Sequence, residues 1–306
     1  MDAIEIERAQ SIAHLYMLEP YSSQRRDNPR TNTPISEAYT LSFEDEEVLA
    51  SLLAFLSSNT TSEEAAHVTA VCIKENRPPC LDVLLAVNKG HPDDGESVLR
   101  EVKGSFVELF KTLRQNASPY SMDGQDIIFD TILSMCRIRI LRRLETKTPI
   151  KKMLRRARKA IEADKKSPYF ARFLTEAGKL ESAIDEWLAV GSDSALKTLV
   201  QRFSELQELE KDRTLTHFKK GVRDTSKFRL DMKKCLLDTI KKIARYKSCV
   251  QDLCGLWEKY PLFRQVNVVP VRLPPEAFSR TIVKHLEPNL ASKISSRITE
   301  HLKAIA

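Results

Sequence analysis

Apolar residues recur along most of this chain at the three-to-four spacing of a helix. Ser42 with Asp45 forms a capping box ahead of Val48, Leu49, Leu52, Leu53 and Leu56. Thr61 with Glu64 repeats the device before Ala65, Val68, Val71 and Cys72, and Pro78-Pro79 predicts the start of a third helix closed by Gly90. A fourth helix is expected from about Glu96 to Gln115, with Val98, Val102, Phe106, Leu109, Phe110 and Leu113 turned inward. Asp123 is placed to cap a fifth, through Ile127, Ile128, Ile132, Leu133 and Cys136. Thr148-Pro149 and Ser167-Pro168 restart helices, Gly178 and Gly191 punctuate the short helices beyond them, and Asp193 to Asp212 reads as one more.

The longest regular pattern lies between Thr214 and Tyr260. Leu236, Ile243, Val250 and Trp257 are seven apart, and Met232, Thr239, Tyr246, Leu253 and Tyr260 form a second heptad series. Lys233, Lys234, Lys241, Lys242, Arg245 and Lys247 fall outside this seam. Thr239 and the two tyrosines suit a helix lying along its own domain better than a coiled coil between chains. Residues 261–275 read as extended and Ser279 to Leu302 as helix again; residues 2–18 read as a short helix and Pro20 to Pro34 as a polar linker.

These elements predict an all-α protein, a multi-helix bundle or short α-solenoid with a long C-terminal helix. The division expected is an N-terminal helix and linker over 1–41, a bundle over 42–122, a basic helical module over 123–212 and a long-helix region over 213–306. Composition agrees. With only 8 glycines and 7% aromatic residues in 306 positions, turn-rich sheet architectures are disfavoured. Hydrophobic residues at 42% supply enough material for a real core.

Charge changes the picture at one place. Between Arg137 and Lys159 there are eleven Lys or Arg residues and one acid, Glu145. Ile150, Met153, Leu154, Ala157 and Ile161 nevertheless keep an apolar stripe, so a helix here packs with one side and offers cations on the other. Exposed helices ordinarily intersperse Glu with Lys, and cations at this density repel one another unless an anion is near. The candidate contact residues are Arg137, Arg139, Arg142, Arg143, Lys151, Lys152, Arg155, Arg156, Arg158 and Lys159. The partner expected is a protein with an acidic and apolar segment, with RNA or DNA phosphates as the alternative ligand. No aromatic residue lies among the cations, so base stacking is not supported.

Catalytic chemistry is not expected. The chain lacks dinucleotide, P-loop, zinc-protease and serine-hydrolase motifs, and no two of its six histidines lie at i, i+3 or i+4. No cofactor or metal is called for. Cys72, Cys80, Cys136, Cys235, Cys249 and Cys254 include no C-x-x-C pair and read as reduced packing residues of an intracellular protein. Export and membrane spanning are not expected, because there is no signal-peptide pattern and no apolar window of about 18 residues. Contact of the basic helix with anionic lipid is a third possibility, disfavoured because no Trp or Phe stands beside the cations. The basic run Lys151 to Lys159 suits nuclear import, which favours the nucleus over the cytoplasm.

Around these residues the chain resembles the N-terminal helical domain of the transcription elongation factor TFIIS, shared by Mediator, elongin and phosphatase-targeting subunits. Thr148, Ile150, Leu154, Arg158 and Lys159 fit the Thr, Ile, Val and Arg-Lys positions of that family's L-x-x-T-x-I-G-x-x-V-x-x-L-R-K-H-like core. Ile127 to Leu141 resembles the helix before it, and Trp187 resembles a late Trp. Lys151 stands where the family has Gly, Ala157 where it has Leu, and the Leu before Thr148 is displaced by one position. The resemblance covers at most residues 125–190. It implies a four- or five-helix module that docks linear, partly acidic motifs in transcription factors. The unbalanced basic helix beside an intact apolar stripe itself points to a non-enzymatic scaffold or interaction subunit of a larger assembly.

Overall fold

The computed structural model describes residues 40–57, 69–76, 80–87, 95–116, 122–144, 149–163, 170–211, 214–215, 218 and 229–272. Helix α1 (Phe43–Ser57) begins at the expected capping box, where the Ser42 hydroxyl accepts the Asp45 backbone N–H at 3.2 Å. Then come strands β1 (Thr69–Asn76) and β2 (Cys80–Val87). Five further helices follow: α2 (Glu96–Gln115), α3 (Met122–Leu144), α4 (Ile150–Glu162), α5 (Ala171–Val190) and α6 (Asp193–Glu208). The long helix α7 (Leu230–Lys259) leads through a 3-10 turn at Pro261–Arg264 into strand β3 (Val266–Pro270). The expected helices over 2–18 and 279–302, and the linker between Pro20 and Pro34, lie outside the described residues.

The molecule is predominantly helical, as expected, with two local corrections. Val71 and Cys72 belong to a strand, not to a helix begun at Thr61, and Cys80–Val87 is a strand, not a helix opened by Pro78-Pro79. In β1 a period of two wins: Thr69 and Ile73 are buried while Ala70, Cys72 and Lys74 face out. β2 is the central strand of the order β1-β2-β3, antiparallel to β1 and parallel to β3. A central strand reads as a short continuous apolar run, which periodicity alone does not separate from a buried helix. Leu81, Val83, Leu85 and Val87 form its inner face; β2 packs against α2 and the 3-10 turn at Pro261–Arg264, while α1 packs on β1. On the outer face Asp82 accepts from Asn76 and Asn267 at 2.5 and 3.0 Å, tying the three strands together.

α5 continues through Gly178, which therefore punctuates nothing; Gly191 does close the helix, at φ 64°, and donates its N–H to the Trp187 carbonyl at 2.8 Å. Ser192 caps α6 at once, accepting the Ala195 N–H at 3.1 Å, so α5 and α6 fold back as a hairpin. Pro149 stands at the N-cap of α4, one position earlier than expected.

Helix α7 organises the core. It packs against α1, α3, α4 and α6 of its own chain. Leu236, Thr239, Ile243, Tyr246, Val250 and Leu253 from both heptad series are buried, and so are Leu237, Ile240, Ala244, Cys249 and Leu256 beside them. The buried face is wider than a two-series seam because neighbours cover more than one side. Lys233 is accordingly 2% exposed, not outside the seam. All six cysteines are free, and Cys80, Cys136, Cys249 and Cys254 are buried. Burial pushes the Cys136 and Cys249 thiols up to about 12, so both are neutral packing groups.

The start of α1 and the end of α7 meet at Asp45. Its carboxylate accepts from Lys259 Nζ at 2.6 Å, from the Ser42 hydroxyl at 2.6 Å and from the Tyr260 hydroxyl, which together hold its pKa down at about 2. A depressed carboxyl contributes stability that is present above its ordinary value of 3.8 and is lost as pH falls through about 2. Lys259 is raised by the same contacts, so its share is present below its ordinary value of 10.5 and is lost as pH rises beyond it. Lys259 is well exposed, so solvent screening cuts the Asp45 contribution to about 1 kcal/mol. Asp45→Asn should lower the urea-unfolding free energy by about that amount at pH 6. The difference from the parent protein should close by pH 2; an equal difference at both pH values would show that the carboxylate charge is not what matters.

Candidate docking face on a cationic helix

Helix α4 buries Ile150, Met153, Leu154, Ala157 and Ile161, the stripe read from its sequence, against α5 and α7. With that stripe turned inward, its cations divide between an edge beside α5 and an outer face. At the edge, two acids of α5 answer them. Lys151 pairs with Asp185. Glu181, only 9% exposed, takes Arg155 Nε at 3.5 Å and Arg158 Nη1 at 3.3 Å, and Arg158 also reaches Glu162 at 3.9 Å. The anions that the dense positive charge demanded are thus partly supplied by the fold itself.

The outer face is different. Lys152, Arg155, Arg156 and Lys159 follow an i, i+3, i+4, i+7 spacing and, with Pro149 and Lys151, line a depression of about 350 Å³. Among the described residues no carboxylate lines it, and Lys152 and Lys159 have no ion-pair partner. Arg156 donates to the Met232 sulfur, at 3.6 Å. The walls are the aliphatic stems of long side chains with the charges at the rim, an arrangement that accepts apolar and acidic groups of one ligand together.

The arginines of α3 are turned to other work. Arg137 bonds Asp193 and the Gly191 carbonyl, the latter at 3.0 Å, and so pins the α5–α6 turn. Arg139 donates to the Phe55 carbonyl at 2.5 Å, while Arg142 is exposed. Arg139 and Arg143 lie with their guanidinium carbons 5.3 and 5.8 Å from the centre of the Phe55 ring. Arg245 of α7 joins them at 4.5 Å from the same ring and donates to the Ser51 carbonyl and hydroxyl at 3.3 and 3.0 Å. Helix α1 has no basic residue in its own last turn, and these arginines supply the positive charge its carbonyl end favours.

The ten cationic positions therefore do not form one surface. Glu181, Asp185, Phe55 and Arg245 partition them, and none of these was singled out from the sequence for this role. The only local signal was that Glu181 and Asp185 stand at i, i+4 on α5, matching Lys151 and Arg155 at i, i+4 on α4. Among the described residues no group of His, Cys, Asp or Glu is arranged to hold a metal, and no helix is long and apolar enough to cross a membrane. Comparison with known protein families, curated proteins and solved structures finds no match to this chain.

Proposed function

We propose that the protein is a non-enzymatic interaction subunit of a larger nuclear assembly, and that it docks an acidic, partly apolar segment of a partner protein along α4. The observation that carries this reading is the depression lined by Lys152, Arg155, Arg156 and Lys159 and, among the described residues, by no carboxylate. The rim charges steer and register the segment while the stems bury its apolar side chains. The resemblance of residues 125–190 to the TFIIS helical module implies the same kind of ligand. About four phosphates at most could meet these four cations, whereas duplex tracking usually engages more, which favours a short acidic segment over nucleic acid.

The test is a triple reversal, Lys152→Glu, Arg156→Glu and Lys159→Glu, leaving Arg155 and Arg158 to neutralise Glu181. Anisotropy titration of a labelled peptide of alternating acidic and apolar residues should show affinity falling about a hundredfold, at roughly 1 kcal/mol for each reversed charge. Unchanged affinity would sink the proposal. Tighter binding of duplex DNA, with a log–log salt slope of about −3 to −4 that the triple reversal flattens, would assign the face to phosphates instead.

A further inference from the structure

Three arginines meet at Phe55, and the nearest acid to act on them electrostatically, Asp252 beside Arg245, forms no ion pair with any of them among the described residues. Arg139 and Arg143 stand one turn apart on α3, and Arg245 comes from α7. Among the described residues none of the three has an ion-pair partner, and their acceptors are the Phe55 and Ser51 carbonyls and the Ser51 hydroxyl. Capping of α1 accounts for Arg139, and the bonds to Ser51 account for Arg245. It does not account for Arg143, whose Nη1 is sealed from water and has no hydrogen-bond partner among the described residues.

A second orphan donor lies beside it. Tyr246 is wholly buried, its ring packs 4.8 Å from that of Phe55, and its hydroxyl likewise lacks a partner among the described residues. Tyr246 and Arg143 are close enough to influence each other's ionisation, as are Tyr246 and Arg139. Burial, together with the charges of Arg139 and Arg245, pushes the Arg143 guanidinium below its ordinary range. Nearly every buried donor in a folded protein is satisfied, so two orphans side by side at a cationic cluster call for a shared acceptor.

We propose that Arg139, Arg143 and Arg245, with the Tyr246 hydroxyl, form a half-buried site for a small phosphate-type oxyanion. A tetrahedral oxyanion has the several lone pairs and the negative charge that guanidinium forks and a phenol donor require. It would also fasten the end of α1 to α3 and α7, so occupancy and stability are linked. The site is separate from the α4 depression and does not depend on the function proposed for it.

The experiment is thermal unfolding of the full chain in chloride, orthophosphate and pyrophosphate at matched ionic strength. A saturable rise of several degrees is expected with phosphate or pyrophosphate but not with chloride. Arg143→Met should abolish the rise while leaving the unliganded midpoint equal or higher, because an unsatisfied buried charge has been removed; a purely structural arginine would instead lower it. Arg245→Gln, at an exposed position, should reduce the rise and decides the matter if Arg143→Met does not fold. Replacing Lys152, Arg156 and Lys159 with Gln should leave the rise intact. No saturable rise, an equal rise in Arg143→Met or in a folded Arg245→Gln, or its loss in the α4 variant would each overturn the assignment.

Discussion

Ile243→Ala is expected to remove about 3–4 kcal/mol of folding free energy, the middle of the range of roughly 2–5 kcal/mol for truncating a buried aliphatic side chain to a methyl group. Ile243 is 0% exposed and sits midway along α7, the helix that packs against α1, α3, α4 and α6. Deleting its outer carbons leaves a cavity inside a close-packed core, where little relaxation is available to offset the loss. The neighbouring Lys242 faces solvent, and Lys242→Ala should change stability by no more than about 0.5 kcal/mol. The pair separates an internal seam from an intermolecular one when chemical unfolding is followed at two protein concentrations about a hundredfold apart. An internal seam gives a midpoint that does not move with concentration in either the parent or the variant. A midpoint that rises with concentration, or a loss below about 1 kcal/mol in Ile243→Ala, would mean that the heptad positions serve a second chain.

The second large effect concerns two adjacent residues of α4 with opposite duties. Arg158 contacts the nearly buried Glu181, whereas Lys159 lies on the open face. Arg158→Glu sets one carboxylate against another where water is largely excluded, and should cost about 2–3 kcal/mol, less than for a fully buried pair because Arg158 is itself partly exposed. Lys159→Glu should stay within about 0.5 kcal/mol. Adding Glu181→Arg to Arg158→Glu should restore part of the loss, with a coupling energy above about 1 kcal/mol in the double-mutant cycle. Additive behaviour would show that Glu181 relies on Arg155 alone. This is why a charge reversal meant to test docking must spare Arg155 and Arg158: including them would confuse lost binding with lost structure.

Legibility in the sequence follows the range of the interaction. The stripe of α4, the capping box of α1, the αL closure at Gly191 and the burial of the two heptad series depend on residues a turn or two apart, and local spacing showed them. The sheet depends on pairing between Leu81 and Val266, which no window contains. The expectation of a helix over residues 80–87 failed for that reason, since an apolar run gains its meaning from the neighbours that cover it. Lys233 was misplaced similarly, because a seam of two series underestimates a helix covered on more than one side. In the candidate site the cations were legible one by one and their division was not. Glu181 and Asp185 are set against α4 by the packing of α5, and Phe55 is brought to α3 by the position of α1.

The parallel register of β2 with β3 carries a consequence for synthesis. β2 finds its second neighbour 185 positions later in the chain, at Leu81 with Val266. At ordinary elongation rates that interval takes about 10–40 s, far longer than a hairpin needs to form. Throughout it the β1–β2 hairpin is finished on one side and open on the other, with the central strand's apolar residues waiting at a bare edge, the kind of edge that invites pairing with another chain. The ribosome must deliver all of α7 and the 3-10 turn before that edge closes, so crowding of nascent chains is most hazardous while the helices are being made.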